Sequence, residues 1–192
     1  MMIRAFKRAS GVLVVLAFIL VGCNDSGIIE LTSSVEQLEL DLLEIKEYIQ
    51  EKGYSNVDTT ESRVRFVILE EGTGETIEPN DIVSFDYAGM LLNDTLFDTS
   101  RESIAIEGGL YDSARIYTPY VFTHTESGWA LETLGFVQGF SDGTTAAMKK
   151  MNVGGRARLM IPSGLGYGSS AISSIPSNSV LVFDIYPVKV RK

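Results

Sequence analysis

One cysteine and one histidine stand in a chain of 192 residues. With one of each, thiols and imidazoles cannot assemble a zinc site, and no disulfide can form within the chain. Basic residues are scarce too: 16 Lys and Arg face 25 Asp and Glu, for a formal net charge of −9 at pH 7. Residues 1–22 carry Arg4, Lys7 and Arg8 and no acid, so the remainder is more acidic still. Such a chain lacks the basic footprint that a phosphate backbone requires, and no nucleic-acid partner is expected. The apolar run from Gly11 to Gly22 falls short of the roughly 20 residues of an ordinary transmembrane helix.

The start of the chain reads as a targeting segment. A basic stretch precedes the apolar run, which ends in Leu20-Val21-Gly22-Cys23 directly before the polar Asn24-Asp25-Ser26-Gly27. This resembles a bacterial lipobox, in which the cysteine is lipidated and becomes the mature N-terminus. The resemblance implies a signal peptide over residues 1–22, a tether over 23–32 anchored through Cys23, and a place in the cell envelope. Several acyl chains on one cysteine would hold stably, where a single chain binds only marginally. Asn24 is not the aspartate that retains some lipoproteins at the inner membrane, which points to the periplasmic face of the outer one. A plain secretory signal, or an anchor helix with an incidental cysteine, is the alternative.

The mature chain divides into an N-terminal helix with a linker, residues 33–61, and a domain over 62–192. Ser33-Ser34-Val35-Glu36 fits a capping box and predicts where the helix begins. Val35, Leu38, Leu42, Ile45 and Ile49 follow at spacings of three and four and form one apolar stripe. Gly53 suits a C′ stop. Glu36, Glu39, Asp41, Glu44, Glu47 and Glu51 fall on the acidic remainder of the helix. The stripe either docks on the following domain or pairs with a second copy. Its shortness favours docking and a monomer.

Residues 54–62 read as a linker, and strands follow. Arg63–Leu69, Ile82–Tyr87, Leu96–Asp98, Arg156–Ile161 and Val180–Tyr186 are apolar or alternate with period two. Asn93-Asp94 marks a hairpin turn, and a short helix is expected over Ser141–Met148. Lys149, Lys150, Arg156 and Arg158 are expected at solvated turn and strand positions, and His124 in a loop. Strands outnumber helices and their connections look antiparallel, giving an α+β fold.

Aromatic residues recur at strand ends and beside glycine turns. The pieces run Tyr87-Ala88-Gly89-Met90-Leu91, Phe97-Asp98, Gly135-Phe136-Val137-Gln138-Gly139-Phe140, Gly166-Tyr167-Gly168, Ile175-Pro176 and Leu181-Val182-Phe183-Asp184-Ile185. Their composition is that of an apolar, aromatic-walled pocket with few polar groups. In order and spacing they closely resemble the FKBP-type peptidyl-prolyl cis-trans isomerases over residues 62–192. That resemblance implies a curved antiparallel sheet wrapped around one short helix, here with an N-terminal helix added. Between Glu102 and Gly135 the pattern loosens: Pro119–Thr123, with Tyr120 and Phe122, best matches the family's aromatic strand. An alternative places Trp129 there. Either way the segment bordering the pocket is enlarged, and loops near a site commonly set partner choice.

The resemblance implies roles as well. Tyr87, Phe97, Phe136, Val137, Phe140, Ile175 and Phe183 would line a proline pocket, with Tyr120 and Phe122 as further substrate contacts. Phe140 would be its floor, where many members have tryptophan. The N–H of Val137 and the hydroxyl of Tyr167 would hydrogen-bond substrate carbonyls, and Asp98 would lie beside the twisting amide and interact with Tyr87. Prolyl isomerisation breaks no σ bond, so no nucleophile, metal or cofactor is expected. The partners implied are proline-containing, unfolded or partly folded proteins. A binding or chaperone module with little turnover is the second reading.

Mass spectrometry of membrane-extracted protein should show residues 1–22 removed and lipid mass on Cys23. An intact Met1 terminus would contradict the lipobox.

Overall fold

A computed structural model describes residues 26–124 and 136–192. Cys23, the residues before it and Trp129 lie outside that range. The chain forms helix α1 (Ser26–Glu51), strands β1 (Asp58–Thr59), β2 (Arg65–Glu70), β3 (Ile82–Leu91) and β4 (Leu96–Thr99), and helix α2 (Glu102–Glu107). Strand β5 (Tyr120–Thr123), helix α3 (Gln138–Met148) and strands β6 (Arg156–Ile161) and β7 (Leu181–Arg191) complete it, with a 3-10 turn at Ser163–Leu165 after β6. All described pairings are antiparallel and run β1-β2-β6-β7-β3-β4. β5 takes the same edge of β3 as β4, one further along than the other. The α+β expectation holds.

Period-two alternation sorts the apolar residues onto two faces. Phe66, Leu159, Phe183 and Ile185 share one cluster with Phe140, Ala147 and Met148 of α3. The intervening Val67, Met160 and Val182 form another with Ile45 and Tyr48 of α1. Helix α3 therefore covers one face of the sheet and α1 the other. Tight contact at α3 needs Gly139, where a Cβ would come within 2.2 Å of Ile161 Cγ2.

Helix α1 is longer than the capping box predicts. It begins at Ser26, so most of the expected tether is helical and Ser33–Glu36 lie inside the helix. Nothing between Ser26 and Thr32 stops propagation; Gly27 alone opposes it, by about 1 kcal/mol. Its C-terminus is as expected. Gly53 has φ +66°, Gly53 N donates to Gln50 O and Tyr54 N to Ile49 O at 3.1 and 3.0 Å, a Schellman ending. The stripe is narrower than predicted: Val35 is 58 % exposed, while Ile45 and Tyr48 are buried and Leu38 and Leu42 half-buried. Asp41, read as part of the acidic outer side, is 1 % exposed.

Other expectations need correction. Residues 58–59 of the linker pair with β2. Helix α3 starts at Gln138, three residues early. His124 lies in a loop, as expected, but is fully buried, with Nδ1 3.1 Å from Glu78 O. Arg158 is not solvated but buried, and Arg156 is half-buried. Arg158 lies opposite Asp184 across β6 and β7 and donates to it through Nε at 2.6 Å and Nη2 at 2.8 Å. Arg156 adds a third contact at 2.6 Å. Arg158 Nη1 also reaches the hydroxyls of Tyr48 and Tyr54 at 3.0 and 2.8 Å. The positive charge is buried because Asp184 neutralises it and two tyrosines on the α1 side take its remaining hydrogens.

Replacing Arg158 by Met leaves Asp184 buried with Arg156 and a long bond from the Tyr186 hydroxyl at 3.4 Å. Thermal unfolding should show a loss of about 3 kcal/mol, or about 6–12 °C in Tm. An unchanged Tm would mean that the pair contributes nothing net.

Candidate active site

The site is built on β3. Gly89 lies opposite Phe183 of β7 on one side and Asp98 of β4 on the other. A Cβ there would stand 2.6 Å from Phe97 Cε2 and 2.7 Å from Phe183 Cε1. Glycine thus lets the two rings meet over the strand, edge to face with centroids 5.5 Å apart. Two residues earlier on the same face, the Tyr87 ring contacts Phe136, Tyr120 and Phe183 at 5.3, 5.8 and 6.1 Å.

These rings leave a cavity of about 250 Å³. Tyr87, Phe97, Asp98, Tyr120, Phe136, Val137, Tyr167, Ile175 and Phe183 all border it, although nearly a hundred positions separate the first from the last. Two expected residues are placed differently. Phe140 is fully buried and does not border the cavity. It stacks against Phe136 at 4.5 Å and meets Phe183 edge-on at 4.8 Å, so it supports the wall from behind. Phe122 packs on Phe85 at 4.9 Å. It shares a face of β5 with Tyr120, but the two-residue rise carries it away from the opening.

The chain leaving β4 holds Tyr87 by its backbone. Ser100 Oγ accepts from Tyr87 N at 3.0 Å and donates to Asp86 Oδ1 at 2.7 Å. Thr99 Oγ1 and Ser100 N both donate to Tyr87 O, at 2.7 and 3.1 Å. The Asp98 carboxylate accepts from the Tyr87 hydroxyl and from Arg115 Nη1, the latter at 2.6 Å. Burial, then the hydrogen bond to Asp98, pushes the Tyr87 phenol well above its ordinary value. Burial and the Asp98 charge push Tyr167 up as well. Both hydroxyls therefore remain protonated through neutral pH, and Tyr167 offers a donor to the cavity. Val137 is the N-cap of α3, beside helix N–H groups that have no intrahelical partner.

Arg115 was not foreseen. It comes from the enlarged segment, which forms α2 and then a loop held by its own contacts. Ala114 N donates to Asp112 Oδ1 at 2.8 Å, and Tyr111 and Tyr117 stack at 6.0 Å. No sequence spacing ties Arg115 to Asp98, seventeen positions earlier. Ile172, Ser173 and Ser174 also border the cavity, on a turn closed by reciprocal Ile172–Ile175 backbone bonds of 3.0 and 2.9 Å.

Alkaline titration tests the buried phenols. Tyr87 ionises near 10 when unfolded and higher when folded, with burial the main cause, and Tyr48 behaves likewise for the same main cause. Folded protein then holds protons that unfolded protein releases, so this stability is complete below pH 10 and declines as pH rises beyond it. Tyrosinate absorbance should show a late-ionising class, and Tyr87→Phe should remove one member of it. Loss of an early-ionising phenol instead would contradict the burial.

Residues 73–186 match the family model described as FKBP-type peptidyl-prolyl cis-trans isomerase. The isomerase FkpA of Buchnera aphidicola is 32% identical over 160 residues, covering 83% of this chain and 52% of the relative. FkpA of Escherichia coli K12 is 29% identical over 147 residues, 76% of this chain and 43% of the relative. FK506-binding protein 4 of Chaetomium thermophilum is 34% identical over 120 residues, 62% of this chain and 20% of the relative. The chain thus spans about half or less of the length of these curated relatives. The crystal structure of E. coli FkpA aligns with a TM-score of 0.51 at 24% identity, over 86% of this chain and 68% of that one. A peptidyl-prolyl cis-trans isomerase from Pseudomonas syringae pv. tomato aligns at 0.52 and 22% identity, over 83% and 96%; at these identities the likeness establishes the fold. With more than half of its length matched to the family model, on the sheet that carries the aromatic cavity, the chain belongs to the FKBP-type peptidyl-prolyl cis-trans isomerase family.

Proposed function

We propose that the cavity binds X-Pro segments and catalyses their cis–trans isomerisation. The barrier is amide resonance, about 18–20 kcal/mol, and catalysis requires tighter binding of the twisted amide than of the planar one. Twisting uncouples the nitrogen lone pair from the carbonyl and lowers the polarity of the amide. The aromatic walls of the cavity therefore favour the twisted form, while the planar amide loses its water on entry. The carrying observation is the closure of six bordering rings and Val137 around one cavity that also holds the Asp98 carboxylate and the Tyr167 hydroxyl. Tyr167 and the Val137 N–H would hold substrate carbonyls, and Asp98 would face the amide as its charge redistributes.

The proposed substrates are proline-containing segments of unfolded or partly folded exported proteins, whose uncatalysed isomerisation takes tens to hundreds of seconds. We place the enzyme at the cell envelope, tethered through lipid on Cys23. That placement rests on Leu20-Val21-Gly22-Cys23 and on the single cysteine. A binding or chaperone module is the second reading. It is favoured by Arg115, which occupies the Asp98 carboxylate from one side.

Catalysis of proline-limited refolding decides between them. Wild type should accelerate the slow phase, and Phe97→Ala or Asp98→Val should reduce kcat/KM about tenfold or more, equivalent to about 1.4 kcal/mol. Asp98→Val should still fold: the Arg115–Asp98 pair is more than one-third exposed on both sides and contributes about 1 kcal/mol or less, and the Tyr87 hydroxyl that loses its acceptor adds a cost of about 1–3 kcal/mol. A folded but inactive wild type would contradict catalysis and favour the binding module.

A further inference from the structure

Helix α1 precedes the family match, which begins at residue 73, yet it reaches the loop that carries Tyr167. A buried carboxylate takes part in that contact. Asp41 Oδ2 accepts from both Ser163 N and Ser163 Oγ at 2.7 Å, and Oδ1 accepts from Gln37 Nε2 at 2.7 Å. Asp41 and Ser163 are each 1 % exposed. Ser163 in turn organises the tyrosine loop: its carbonyl accepts from Gly166 N and Gly168 N, both at 2.9 Å. Those two donors flank Tyr167. Gly168, at φ +58°, then accepts from Asn178 N at 2.7 Å.

We propose that Asp41 is a positioning residue for the active site, setting the Tyr167 hydroxyl through Ser163. This rests on the isomerase reading above. Packing alone does not account for a carboxylate here. A buried acid is unfavourable unless its oxygens are satisfied, and an apolar residue would fill the same space. What the carboxylate adds is direction. It fixes both donors of Ser163 at the start of a 3-10 turn whose first N–H groups have no partner within the turn. With Ser163 held, its carbonyl has one orientation and Gly166 and Gly168 converge on it. Tyr167 is then presented to the cavity with little freedom. Preorganised donors are the ones that contribute to transition-state stabilisation.

The test uses the full chain with Asp41→Ala, Asp41→Asn, Tyr167→Phe and the Asp41→Ala/Tyr167→Phe pair. Asp41→Ala should lower kcat/KM on an X-Pro peptide about tenfold. Asp41→Asn should stay within about twofold of wild type, because its amide oxygen can accept both Ser163 bonds while its NH₂ meets a flipped Gln37. The two single losses should not multiply: once Tyr167 lacks its hydroxyl, removing Asp41 should change the rate less than about twofold. Hydrogen exchange supplies a readout independent of turnover. In Asp41→Ala the Gly166 and Gly168 amides should exchange at least about tenfold faster, while sheet amides such as those of Leu159 and Phe183 keep their protection.

Multiplicative losses in the double variant would overturn the proposal, as would uniform acceleration of exchange across the sheet. An Asp41→Asn variant as impaired as Asp41→Ala would overturn it too. If wild type proves inactive, the isomerase reading fails, and the exchange of Gly166 and Gly168 alone decides whether Asp41 sets the loop. Should Asp41→Ala not fold, Ser163→Ala, which deletes only the Oγ bond, takes its place, with faster Gly168 exchange expected and unchanged exchange contradictory.

Discussion

The antiparallel pairing of β3 with β7, from Ile82↔Arg191 to Leu91↔Leu181, sets where the Tyr87 and Phe183 walls of the cavity stand. It puts Gly89 opposite Phe183 and, through β4, opposite Asp98. It also places Tyr87 on the same face one pleat away. A one-residue slip of β7 along β3 would turn Phe183 to the face away from Tyr87. Glycine at position 89 is the condition for this arrangement, because two phenylalanine rings occupy the volume a side chain would fill. Edge-to-face ring pairs contribute about 0.5–1.5 kcal/mol each beyond their buried area. The site and part of the core are therefore the same set of interactions, which keeps the cavity open in a fixed shape.

The two faces of the sheet are held by different chemistry. On the α3 face the contacts are apolar and aromatic, and their arrangement forms the cavity. On the α1 face an apolar patch around Ile45 and Met160 adjoins a polar chain. That chain runs from Asp184 through Arg158 to Tyr48, which donates to Asp94 at 3.1 Å, and Lys52 meets the same Asp94 at 2.6 Å. Asp94 sits at the tip of the β3–β4 hairpin with φ +61°. Helix α1 is thereby tied at its C-terminal end to the hairpin that precedes Phe97-Asp98. Through Asp41 it is tied to the loop that carries Tyr167. Helix α1 is thus linked to the hairpin that leads to Asp98 and to the loop that carries Tyr167.

Much of this was legible in the sequence because it follows from periodicity and turn chemistry. Alternation in β3 and β6 gave the strands, Asn93-Asp94 the hairpin, and Gly53 the end of α1. The ordered motifs gave the residues that border the cavity. What was not legible are polar residues whose partners are distant in sequence. Asp41 reads as one acid among six on a helix, until Ser163, 122 positions later, is brought against it. Arg156 and Arg158 read as solvated because charge usually is, and only the register of β6 on β7 reveals Asp184 opposite. Arg115 reaches Asp98 from a loop whose path no repeat or motif announces. Phe140 and Phe122 carry the right residue type and the right spacing. Their side of the wall depends on the pose of α3 and on one pleat of β5, which motif order does not specify.

The claim at the centre of this account is that the cavity acts on the X-Pro bond itself. Exchange spectroscopy on a labelled X-Pro peptide tests it most directly, because cis and trans resonances report interconversion without any coupled reaction. Catalytic amounts of the full chain should produce cis–trans exchange cross-peaks absent from the free peptide, together with peptide-induced shifts confined to residues around Tyr87, Phe97, Val137 and Tyr167. Peptide-induced shifts at those residues with no cis–trans exchange would contradict catalysis. Exchange accompanied by shifts elsewhere would contradict the site.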